Sequence, residues 1–180
     1  MRRFIALVAA FIAFTAPALA QTWQSRLDSD LPLLGHRNWI LIVDSAYPDQ
    51  VGPGIETVET DANMLPVLKT VLSRIQSSIH VRPVIFLDAE LPYVPDSEAP
   101  GAKDFRNQLE SLLGSADVHH RLHQSLIDEV AKDSQQYHIL ILKTRLAIPY
   151  TSIFINLRAK YWSDDDERGL RDAMSNVHPR

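Results

Sequence analysis

The chain of 180 residues contains no cysteine, which excludes disulfides, thiolate nucleophiles and cysteine-ligated zinc. A lipid-anchored export signal is excluded for the same reason, because there is no thiol to acylate. Glycine is scarce at six residues, and none falls in a phosphate-cradling loop. Gly52-Pro53-Gly54 reads as a turn, since proline removes a backbone donor that such a cradle would use. No Gly-x-Ser-x-Gly elbow is present. There is no excess of basic charge either. The formal net charge is −4, which argues against a nucleic-acid partner with a broad basic face. Long apolar runs are missing beyond the first twenty residues.

Those twenty residues are set apart from the fold. Arg2 and Arg3 precede an apolar run from Phe4 to Ala16, and Ala18-Leu19-Ala20 supplies the small-x-small pattern read by signal peptidase. The run is shorter than the ~20 residues of a spanning helix. The expectation is a signal peptide over 1–20, no stable membrane anchor after cleavage, and a periplasmic or secreted domain over 21–180.

With 46% hydrophobic residues, the remainder suffices for one compact domain. Three apolar runs dominate it: Trp39–Val43, Val84–Leu87 and Ile139–Leu142, with Ile153–Leu157 as a fourth. Their apolar residues are consecutive instead of alternating, which predicts strands buried on both faces of a parallel or mixed sheet. Helical spacing predicts segments from Asp61, as cap, to Ile79, over Ala102–Leu113 ending at Gly114, and from His120 to Asp133. A tail helix runs from Asp164 to Met174, with Asp164–Glu167 as its acidic first turn. Pro66 fits only within a first turn. The fold class is therefore α/β, a single domain with helices flanking the sheet.

In such sheets ligands bind beyond the carboxyl ends of the strands. That rule selects Asp44 after the first run, Asp88 and Glu90 after the second, and Lys143 and Thr144 after the third. His36 precedes the first strand, so it reaches that edge only through a turn or from a neighbouring subunit. His119 and His123, spaced four apart on one predicted helix face, are compatible with a metal, but with His120 they read better as a solvated helix start. No metal is assigned.

One block is more specific. Leu34-Gly35-His36-Arg37-Asn38-Trp39-Ile40-Leu41-Ile42-Val43-Asp44-Ser45-Ala46-Tyr47-Pro48 resembles the D-ribose pyranase / L-fucose mutarotase family. Those proteins open with Gly-His, an apolar strand, then an Asp eight positions after the His. The likeness continues through Gly52-Pro53, Arg82-Pro83-Val84, Phe105–Leu109 and Tyr150-Thr151-Ser152-Ile153, and covers roughly 34–157. This chain departs from the pattern at Asn38, where the family has Asp, and at Ser152, where it has Asn. Thr144-Arg145-Leu146 replaces a Gly-Glu turn. The signal and the Tyr161-Trp162 tail fall outside the family domain, as in a divergent exported branch.

The resemblance implies a mutarotase-like α/β fold, assembly into a homo-oligomeric ring, commonly a decamer, and sites near subunit contacts. It also implies interconversion of ring forms or anomers of a free monosaccharide, without a cofactor. On that reading His36, Asp44 and Tyr150 are the catalytic candidates. Lys143, Ser152, His123 and Glu90 are the sugar-binding candidates, with His123 standing for the family's third-helix His. The alternative is a non-catalytic carbohydrate-binding or structural oligomer that keeps the fold.

Overall fold

The computed structural model describes residues 22–177. The leader expected over 1–20 lies outside the described residues. In chain order the elements are α1 (Trp23–Asp30), β1 (Trp39–Val43), β2 (Ile55–Glu59), α2 (Met64–Ser77), β3 (Val81–Asp88), a 3₁₀ turn (Leu91–Tyr93), α3 (Ala102–Leu113), β4 (Val118–Arg121), α4 (His123–Asp133), β5 (Ile139–Lys143), β6 (Ile153–Ala159) and α5 (Asp164–Val177). The six strands form one sheet in the order β2-β5-β1-β6-β3-β4. β1 and β2 run parallel to β5, and β3 runs parallel to β4. β6 is antiparallel to both β1 and β3. Five strands thus share one direction and β6, near the middle, opposes them.

The consecutive apolar runs are explained by burial on both sides. On one face Ile40, Ile42, Leu140, Leu142, Ile153 and Ile155 pack beneath Leu27, Leu68, Val71 and Leu109 of α1, α2 and α3. On the other, Trp39, Leu41, Ile139, Ile141 and Phe154 pack under Leu126 and Val130 of α4. Successive residues of a strand point to opposite faces, so a strand covered on both sides has no polar positions to alternate with. The edge strands differ. β2 (IETVE) and β4 (VHHR) carry charged or imidazole side chains on open edges, which discourages pairing with a stray strand. Pro83 sits in β3 opposite Leu157 of β6, but before β4 begins to pair at Ile85, so its missing N–H costs no ladder bond.

Several boundaries differ from the sequence reading. α1 and β2 were not anticipated, being short and largely polar. α2 begins at Met64 with Pro66 in its first turn, and Asp61 is not its cap: it lies outside, at φ 49°. The segment expected as one helix from His120 is two elements, because Val118–Arg121 pairs with β3 as an edge strand before α4 starts at His123. α3 ends at Gly114, at φ 53°, as its sequence predicts. In the turn before β2, a Cβ on Gly54 would stand 2.1 Å from the Tyr137 carbonyl oxygen, so only glycine allows the chain to pass there. Among the described residues no helix is long and apolar enough to cross a membrane.

Candidate active site

Because β6 opposes its neighbours, its first residues lie at the same edge as the last residues of β1, β3 and β5. That edge gathers most of the polar residues selected above. Asp44, directly after β1, is buried, and its carboxylate has two donors. The Ala46 N–H donates to Oδ1 at 2.9 Å, and the Ser152 hydroxyl donates to Oδ2 at 3.2 Å. Ser152 therefore reaches Asp44 across the β1–β6 pair.

Asp88 ends β3 and is fully buried. Its Oδ2 accepts from His123 Nδ1 at 3.0 Å, while Oδ1 is buried without a partner. With Asp88 as acceptor, Nδ1 carries a proton and Nε2 is left for other chemistry. Glu90 caps the same helix: its carboxylate accepts the His123 backbone N–H at 3.1 Å, next to the positive end of α4. The hydrogen bond to Asp88 raises the His123 pKa above its ordinary value, aided by the charges of Asp88, Glu90 and Asp44. Burial pushes the Asp88 carboxyl up as well. Both shifts favour holding a proton on the pair.

Aromatic rings enclose this imidazole. Tyr150 meets it edge-on with ring centroids 5.6 Å apart, and Tyr47 does so at 6.3 Å. Tyr150 has φ 58°, a left-handed backbone that a bulky residue adopts only at a cost of roughly 1–3 kcal/mol. That conformation turns its ring onto His123 and leaves it 41% exposed. Lys143, at the end of β5, donates from Nζ to the Tyr47 carbonyl at 2.9 Å and so braces the loop after Asp44. Burial raises the Tyr47 phenol well above its usual range, and its hydroxyl is bonded to Gln50. Thr144 is buried, and its hydroxyl donates to the Val43 carbonyl, a structural bond.

His36 is elsewhere. It precedes β1 and stands at the opposite end of that strand from Asp44, beside Arg37, whose Nε lies 3.3 Å from His36 Nε2. Burial, Arg158 and Arg37 lower its pKa. One chain does not bring His36 and Asp44 together. Asn38, the departure from the family's Asp, closes the turn that presents His36. Its Oδ1 accepts the Gly35 N–H at 2.7 Å and its Nδ2 donates to the His138 carbonyl at 3.3 Å. A carboxylate could not make the second bond.

The histidine cluster weighed for a metal is split by β4. His119 and His120 project to opposite faces of an edge strand, His119 bonds Asp117 at 2.8 Å, and only His123 joins the site. The expected i, i+4 helical face does not exist. Elsewhere Asp30, Glu56 and His138 place donor atoms within 4.8 Å of one another, a group able to hold a cation. Arg26 already bridges its two carboxylates at 2.9 and 2.5 Å.

Sequence reasoning placed Asp88 at the ligand edge without giving it a role, and it left Tyr47 out of the site. Asp88 had a usable signal: an acid closing an apolar strand, which must be either paired or functional. Tyr47 carried none, because its packing is set by the turn after Asp44.

No family model matches the sequence, and no curated protein matches it. Solved structures do. RbsD from Bacillus subtilis, complexed with D-ribose, superposes with a TM-score of 0.53 at 18% identity, over 78% of this chain and 97% of that one. FucU from Bifidobacterium longum superposes at 0.50 and 14% identity, over 74% and 93%. The chain has the fold of the D-ribose pyranase / L-fucose mutarotase family, a single α/β domain around a mixed six-stranded sheet.

Proposed function

We propose that this protein interconverts the ring forms or anomers of a free monosaccharide by cofactor-free acid–base catalysis, at the carboxyl edge of the sheet. The observation that carries the reading is the Asp88–His123 pair set against Asp44, Glu90 and Tyr150, on a fold shared with a protein solved in complex with D-ribose.

The chemistry needs only proton transfers. A base removes the proton from the anomeric hydroxyl, the O1 electrons form the C1 carbonyl, and the bond from C1 to the ring oxygen breaks. An acid protonates that oxygen. Reclosure on the other carbonyl face gives the second anomer, and closure through another hydroxyl gives a different ring size. His123, held protonated by Asp88, suits the acid role, and a well-placed acid or base contributes about 10²–10⁴-fold. Asp44 accepts sugar hydroxyls or the anomeric proton. Tyr150 offers a flat ring and a phenol donor, and Ser152 and Lys143 lie within the same edge. His36 joins the reaction only across a contact with a second copy, in a ring-shaped homo-oligomer. Export to the periplasm or medium belongs to the same proposal, and mass spectrometry of native material should find Gln21 as the first residue.

The deciding experiment incubates the purified protein with free monosaccharides, D-ribose and L-fucose among them, and measures ring-form exchange by NMR magnetisation transfer. Accelerated exchange without added metal or nucleotide is the expected result. Sugar binding with exchange at the uncatalysed rate would instead establish the non-catalytic carbohydrate-binding reading. Absence of both would overturn the sugar proposal.

A further inference from the structure

α5 is an amphipathic helix whose apolar side no described element of its own chain covers. Leu170, Ala173 and Met174 line one side at helical spacing, yet no side chain described in α5 is buried. Leu170 and Met174 are 43% and 52% exposed, and Trp162 just before the helix is 43% exposed. An isolated helix of 14 residues is marginal in water, so an apolar stripe of this kind is normally paired with a partner surface.

The same chain carries a matching surface. Between α2, α3 and the start of β3 runs a groove of about 460 Å³, floored by Leu72, Pro83, Leu112 and Ala116. Its rim carries Lys69, Arg82 and Lys160, and no carboxylate lines it. α5 has the complementary charge: Asp164, Asp165, Asp166, Glu167 and Asp172 against Arg168 and Arg171. Within one chain Arg82 stands 3.8 Å both from Asp164 Oδ1 at the start of α5 and from Asp117 Oδ2, which leaves the other acids of α5 to face Lys69 and Lys160.

The exit of the helix is held. Lys160 Nζ donates to the Gln76 and Ser78 carbonyls, both at 2.8 Å. Ser163 and Asp166 cap one another at the helix start: the Ser163 N–H donates to the carboxylate at 2.8 Å and the Asp166 N–H to the hydroxyl at 3.1 Å. A helix about 21 Å long thus begins beside the groove, and none of its described side chains is buried.

We infer that α5 of one copy lies in the α2–α3–β3 groove of a second copy, and that the second copy returns its own α5 in the same way. Both surfaces belong to every chain, and because each copy returns its helix to the other the exchange closes as a two-fold pair. One helix in one groove is small against the roughly 1,600 Å² of a stable interface, and reciprocity doubles it. The inference is independent of the sugar reading and survives its failure.

The test exploits the absence of cysteine. Leu112→Cys and Met174→Cys are made on separate chains, one enlarged by a tag, then mixed and oxidised. A disulfide-linked heterodimer of tagged and untagged chains is the expected product, and 1 M salt should reduce its yield severalfold. In parallel, Leu170→Asp should lower the mass measured by light scattering about twofold at equal concentration, as the separation of a two-fold pair requires, with the circular dichroism of the fold retained. If a chain carrying both substitutions links only within itself, the helix occupies its own groove and the exchange is wrong. If no link forms and Leu170→Asp leaves the mass unchanged, the groove is not the partner of α5.

Discussion

The two ends of the sheet handle histidine in opposite ways. At the carboxyl end, His123 faces Asp88 with Glu90 and Asp44 nearby, and its affinity for a proton rises. At the amino end, His36 is exposed, and the desolvation it does undergo, with Arg158 and Arg37 nearby, lowers its affinity. The surroundings differ in composition. Asp44, Asp88 and Glu90 gather where β1 and β3 finish, whereas where β1 begins Arg37, Lys132 and Arg158 share a cavity of about 350 Å³ with Glu129 and Asp133. The lesson is that a histidine next to an apolar strand says nothing about its charge until its neighbours across the sheet are known. On this account one end is built to hold a proton and the other to shed one.

The sharpest way to break the comparison is to delete the proton holder. His123→Ala should slow sugar ring exchange by about 10²–10⁴-fold. Asp88→Asn should approach that loss while the chain remains folded, since the amide keeps the shape but not the charge that sustains an imidazolium. Exchange by NMR at native rates in His123→Ala would remove the carboxyl-end pair from the chemistry.

A second test asks whether the two ends meet between copies. His36→Ala and Asp44→Ala should each lose exchange. Mixing them under conditions of subunit exchange should restore about a quarter of the sites, because random pairing returns both native residues to that fraction of shared interfaces. No recovery in verified mixed oligomers would confine the reaction to one chain.

The smallest effect is on stability, and its sign is fixed by the two shifts. His123 has a folded pKa above its unfolded value. Its contribution is complete below about pH 6.5 and is lost as pH rises through the raised folded value. Burial of Asp88, which also favours the protonated form, acts in the same sense. His36 has a folded pKa below its unfolded value, so its contribution is present above about pH 6.5 and is lost as pH falls through the lowered one. Urea midpoints between pH 5 and 8 should therefore show His123→Gln losing the decline towards high pH, and His36→Gln losing the decline towards low pH. A steeper high-pH decline in His123→Gln would reverse the assignment at the carboxyl end.

How much was legible in advance depended on which force set each element. The four inner strands were readable because burial on both faces demands consecutive branched and aromatic residues, as in Trp39-Ile40-Leu41-Ile42-Val43. α3 was readable because a glycine, free to take the positive φ that ends the helix, stops it. β2 and β4 were not. An edge strand has one paired side and polar side chains, so Val118-His119-His120-Arg121 has no pattern that distinguishes it from a helix start. That misreading placed His119 and His123 on a shared helical face that does not exist.

The sequence by itself determined that this is a single α/β domain with a covered sheet, and that polar residues such as Asp44, Glu90 and Lys143 close its strands, because apolar runs and their terminators are local features. Only the tertiary structure decided which of them meet. The reversed direction of β6 carries Ser152 to Asp44 and Tyr150 to His123, and the pairing of β4 with β3 delivers His123 to Asp88. His36 is left at the far end of β1. Strand direction and order arise from long-range pairing, whose hydrogen bonds are made by the backbone alike for every residue type but proline, so no stretch of side chains announces them.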